Sequence, residues 1–178
     1  MRLSPCFLFA VVLLLWPALA GPTHAQGASK TKLTRPNDPL SHDPRHPNSY
    51  DLDNELRNSK VGREVELALI EGNEAFAAKP PRFDDAEKAY LRAAKLEPKE
   101  AKAYVGLGVV YAAQNYAEKA AASFEKAVEV KPKYSQAHFN LALIYNAIGK
   151  KAEALEQQRI LQGLDPDLAK KLAELIGK

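Results

Sequence analysis

Three patterns of apolar and polar positions follow one another along the chain. Cys6 to Trp16 is an unbroken run of eleven apolar residues, preceded by Arg2 and ended by Pro17. Between 26 and 58 large apolar side chains become scarce, and Pro36, Pro39, Pro44 and Pro47 interrupt a stretch rich in Asn, Asp and Ser. From about 61 onward apolar residues recur at helical spacing, in short segments each closed by Gly, Pro, Asn or Asp. The last segment sets Leu168, Leu172, Leu175 and Ile176 against Asp167, Lys170, Lys171 and Glu174. That pattern predicts one amphipathic helix over about 166–177, with Asp165 as its cap and Pro166 in its first turn.

The helical part repeats itself. With 101–134 set above 135–168, Tyr104 falls over His138, Leu107 over Leu141, Gly108 over Ala142 and Tyr111 over Tyr145. Ala120 falls over Ala154, Ala127 over Leu161 and Pro132 over Pro166, a period of 34 residues. An earlier copy ends at Pro98, with Ala86, Tyr90 and Ala93 in the corresponding places. Counting on from Gly72 requires two extra residues, and Lys79-Pro80-Pro81-Arg82 is where they fit, between the two helices of that copy. Each segment therefore predicts two helices. The small residues Gly108, Ala120 and Ala127 let them approach, Tyr104, Tyr111 and Phe124 fill the space between, and Pro98, Pro132 and Pro166 stop the chain from continuing as helix.

The order aromatic, Leu-Gly, Tyr, Ala, aromatic, Ala, Pro resembles the tetratricopeptide repeat. Residues 101–134 carry it at Tyr104, Leu107, Gly108, Tyr111, Ala120, Phe124, Ala127 and Pro132. The third copy departs at Ala142, His138 and Gln158. The resemblance implies an all-α, right-handed superhelical solenoid of three helix pairs over about 65–100, 101–134 and 135–168, closed by a C-terminal capping helix. Three stacked repeats are about the minimum that buries a continuous core. His138 stands where the family places an aromatic and reads as an amphipathic ring that fills that place. No Ser, Cys or carboxylate is arranged beside it as a catalytic partner would be.

The N-terminal third reads differently. A positive start, a short apolar core and the small-residue triplets Ala18-Leu19-Ala20 and Thr23-His24-Ala25 predict a signal peptide over 1–25, cleaved before Gly21 or before Gln26. The apolar run is shorter than the roughly 20 residues of a membrane span, so no stable span is expected after cleavage. Residues 26–58 predict a disordered linker, because they have too little apolar surface to offset ordering. The repeat domain is predicted over 59–178. His42 and His46 flank Asp43-Pro44-Arg45 but lack the organised ligands of a metal site.

Composition narrows the function. Lys and Arg total 25 against 22 Asp and Glu, a net charge of +3, without the basic stripe that nucleic acid requires. The single cysteine, Cys6, lies in the leader, so the mature chain has no disulfide, thiolate ligand or cysteine nucleophile. No phosphate loop, zinc-ligand spacing or nucleophile motif occurs, so no enzyme, cofactor or metal is predicted.

The resemblance implies that the first helices of the repeats line a concave groove that binds a protein or peptide partner. Carried over by position, the groove comprises Leu69, Asn73 and Phe76, then Lys102, Val105 and Val109, then Gln136, Phe139, Leu143 and Asn146. One family version clamps a terminal carboxylate with Lys, Asn and Arg. Asn73 matches one of those positions, but Leu69, Gly106, Gln136 and Asn140 occupy the others, so no such clamp is expected. The predicted feature is an apolar strip of Leu69, Phe76, Val105, Val109, Phe139 and Leu143 with a polar margin. The reading is an adaptor or assembly module of the cell envelope, in the bacterial periplasm or secreted. The alternative is a self-associating structural protein that uses the groove or its exposed repeat ends.

Overall fold

Prolines and left-handed residues fix the helix ends, and the ends recur with the repeat. The computed structural model describes the backbone of residues 49–176 and the side chains of residues 58–176. The predicted leader, most of the predicted linker, and His42 and His46 lie outside the described residues. Within them are seven helices: α1 (Ser49–Ala77), α2 (Phe83–Leu96), α3 (Ala101–Ala113), α4 (Ala117–Val130), α5 (Ser135–Ala147), α6 (Lys151–Leu164) and α7 (Pro166–Ile176). No strand occurs among the described residues.

The second helix of each repeat stops in the same way. Glu97, Lys131 and Asp165 precede the three prolines and all leave the helical region, at φ −135°, −134° and −156°. Proline disfavours the helical conformation in the residue before it, and these dihedrals follow from that clash. The first helices of repeats two and three end on Asn115 (φ 62°) and Gly149 (φ 84°), 34 residues apart in the left-handed region. Around each, paired backbone bonds close the turn: Tyr116 to the Tyr111 carbonyl at 2.9 Å, and Lys150 to the Tyr145 carbonyl at 2.8 Å. The first repeat uses a five-residue connection, 78–82, where the others use three, 114–116 and 148–150. The two additional residues thus fall at Lys79-Pro80-Pro81-Arg82, between the helices of the first pair.

One boundary differs from the sequence reading. Residues 49–58, assigned to the linker, form the opening turns of α1. No proline occurs between Pro47 and Pro80 to interrupt the helix. The C-terminal helix follows expectation: Asp165 Oδ1 accepts from the Leu168 N–H at 3.0 Å, and Pro166 opens α7. Ala169 and Leu172 of α7 are buried against the last repeat.

Helix pairs are set by rings in notches. Tyr90, 2% exposed, lies against both Gly72 of α1 and Gly106 of α3, and a Cβ built on either glycine would sit 2.7 or 2.4 Å from the ring. Phe124, 1% exposed, fills the corresponding place against Gly108. Such a Cβ forces ring or helix to shift, which costs about 1–3 kcal/mol in a packed core. Gly62 also lies in a helix, but nothing approaches within 4 Å of where its Cβ would be.

Gly108→Ala is therefore expected to lower unfolding free energy by about 1–3 kcal/mol, whereas Gly62→Ala should raise it by up to about 1 kcal/mol. Urea denaturation of both variants checks the contrast. Equal effects would show that the notch is not tight.

Candidate interaction surface on the first helices

The groove residues predicted from sequence divide into two groups. Lys102 is exposed, and Leu69, Asn73, Phe76, Gln136, Leu143 and Asn146 are half-buried. Val105, Val109 and Phe139 are 1–2% exposed and belong to the core. This corrects the expected open apolar strip: its middle is closed. The close approach of α1, α3 and α5 is the cause, since Phe76 and Leu143 pack against the cluster that contains those three residues. What faces outward is a mixed row, with apolar flanks from Leu69, Phe76 and Leu143 among the polar side chains.

The polar members are partly engaged. Asn73 Oδ1 accepts the Tyr90 hydroxyl at 2.7 Å, so this residue braces the ring in the notch. Burial pushes that hydroxyl's pKa well above the ordinary tyrosine range. Gln136 Nε2 donates to Asn140 Oδ1 at 3.0 Å. Asn140 is 1% exposed, and its Nδ2 is buried without a partner. Sequence placed Asn140 at a groove position but not its burial, because a polar residue in an apolar run gives no sign of depth.

His138 has the structural role expected of it. Its Nε2 lies 2.8 Å from the Pro132 carbonyl, and its Nδ1 2.8 Å from the Gln157 carboxamide. The carbonyl can only accept, so Nε2 carries the proton. Tyr104, its counterpart, donates to the Pro98 carbonyl at 3.2 Å. The imidazole thus reproduces the bond that ties a first helix to the preceding proline turn.

Two tyrosines span successive repeats. Tyr111 donates to Glu87 and Tyr145 to Glu125, each at 2.8 Å. Lys119 and Lys150 lie 5.5 and 5.6 Å from the respective rings. Among the described residues no group of three metal-ligating side chains occurs, and no helix is long and apolar enough to cross a membrane.

A profile of the tetratricopeptide repeat family matches residues 82–129 and 117–169. Residues 82–169 are tetratricopeptide repeats. The fold is similar to the TPR2B domain of yeast Sti1 in its pHsp70 complex, at 26% identity and a TM-score of 0.59, over 65% of this chain and 94% of that one. It is also similar to the Arabidopsis OM64 TPR domain, at 20% identity and a TM-score of 0.59, over 66% and 97%. The TPR2AB domain of yeast Sti1 in its pHSP90 complex matches at 22% identity and a TM-score of 0.59, over 72% of this chain and 54% of that one. No curated protein matches the sequence. Tetratricopeptide repeats are non-catalytic scaffolds for protein–protein interaction.

The tyrosine seams generate a pH prediction. Burial first, and then the adjacent Glu87 and Glu125, push Tyr111 and Tyr145 up to about 12. The folded state thus favours the neutral phenol. Its contribution is intact below pH 10, the ordinary tyrosine value, and is lost as pH rises from 10 towards 12. Replacing both tyrosines with Phe should flatten the fall in denaturation midpoint over that window. An unchanged slope would contradict the assignment.

Proposed function

We propose that this chain is an exported adaptor that holds a polypeptide segment along its row of first helices and catalyses no reaction. The observation that carries the reading is the arrangement of that row on the repeat scaffold. Half-buried Leu69, Phe76 and Leu143 alternate with Asn73, Lys102, Gln136 and Asn146 above a closed core. Apolar flanks offer burial worth about 25 cal/mol per Å², and the amides offer hydrogen bonds to a main chain. A rigid floor limits the ordering cost of association. The pHsp70 complex of the Sti1 TPR2B domain supports a polypeptide as the class of ligand. The ligand's terminus is not held by a basic clamp, since only Asn73 matches it and Leu69, Gly106, Gln136 and Asn140 stand at the other positions. The leader pattern before Gly21 and Gln26 supports export to the cell envelope, with the periplasm or the exterior as the working compartment.

Cross-linked capture from envelope extract tests this with the exported chain and a Lys102→Glu/Asn146→Arg variant, whose folding is first checked by circular dichroism. A polypeptide held by the wild type should bind the variant at least about tenfold more weakly, roughly 1.4 kcal/mol. Equal capture would move the site off this row. Intact mass of the captured bait should place its N-terminus at Gly21 or Gln26, and a bait retaining Met1 would contradict export.

A further inference from the structure

The two-residue offset of the first repeat brings Leu67, Ile70, Glu71 and Glu74 of α1 into register with Ala103, Gly106, Leu107 and Val110 of α3. In α3 that face is buried against α2, and in α5 the matching Ala137, Asn140, Leu141 and Ile144 are buried against α4. On α1 no helix of the described residues covers it. Leu67 is 57% and Ile70 40% exposed, two of the five large apolar side chains exposed among the described residues. Beside them, between α1 and α2, lies a cleft of about 500 Å³ lined by Glu71, Glu74, Arg82, Asp85, Lys88 and Arg92.

We propose that this face is a dimer interface, on which the α1–α2 pair of a second copy packs about a two-fold axis. Three observations select a second copy as the occupant. The cleft carries three acids and three bases, so its charge is balanced and acids of one copy can face bases of another. Glu71 is paired with Arg92 and Asp85 with Arg82, while Glu74 and Lys88 make no ion pair within the described residues and are free to pair across the axis. The opposite end of the array is closed by α7, which turns Lys170, Lys171 and Glu174 to solvent. Among the described residues one end of the array is open and the other closed, an arrangement that produces a finite pair where two open ends would stack into filaments. This interface is separate from the first-helix row and leaves it open.

Sedimentation equilibrium of the purified protein tests the pairing, at concentrations from about 1 to 100 µM. The mass should move from one chain to two, and Leu67→Lys/Ile70→Lys should remain a monomer with unchanged circular dichroism, both side chains being exposed. Glu74→Lys and Lys88→Glu should each raise the dissociation constant about tenfold, and the double reversal should restore it. A wild-type monomer throughout would overturn the pairing and indicate that another segment of the chain covers the face. A dimer retained by Leu67→Lys/Ile70→Lys, a mass beyond two chains, or additive losses in the double reversal would also overturn it.

Discussion

A ring pressed into a glycine notch is the contact on which the array depends. Tyr90 touches Gly72 within its own repeat and Gly106 in the next, so a single side chain sets both the spacing within a pair and the spacing between repeats. Removing a buried ring of this size costs about 3–5 kcal/mol in a core. That is a large share of a small domain's stability. The third repeat follows the same logic by exception. Gln158 occupies the ring position, and there Ala142 replaces the glycine, because without a ring a Cβ has room.

Close helix approach explains the interaction surface. Helices held this near to one another cover Val105, Val109 and Phe139 with the side chains of neighbouring repeats. What is left for a partner is a firm row of amides, one lysine and three partly covered apolar side chains. The seam tyrosines and their glutamates stiffen the stack, since each ties a first helix to the second helix of the repeat before it. On the proposed function, such a surface would recognise an extended or helical segment by a few anchors and main-chain hydrogen bonds.

Much of the fold was legible because turn chemistry recurs. Pro98, Pro132 and Pro166 stop helices at one place in each copy, and Asp165 and Pro166 announced the capping helix. The site was less legible. A position in a repeat gives the direction of a side chain but not what its neighbours cover, and for that reason Val105, Val109 and Phe139 looked available from sequence. The start of α1 was hidden because Tyr50 to Leu56 carries the polar composition of a linker. The open face of α1 emerges only when Leu67 and Ile70 are put in register with Ala103 and Gly106, which requires knowing where the two additional residues lie.

A double-mutant cycle between Gly106 and Tyr90 tests the notch most directly, with unfolding free energies measured by urea denaturation. Gly106→Ala should cost about 1–3 kcal/mol beside the native ring. In a Tyr90→Leu background the same substitution should cost nothing, or add up to about 1 kcal/mol through helix propensity. An equal cost in both backgrounds would contradict the claim that the ring in the notch sets the spacing of the helices.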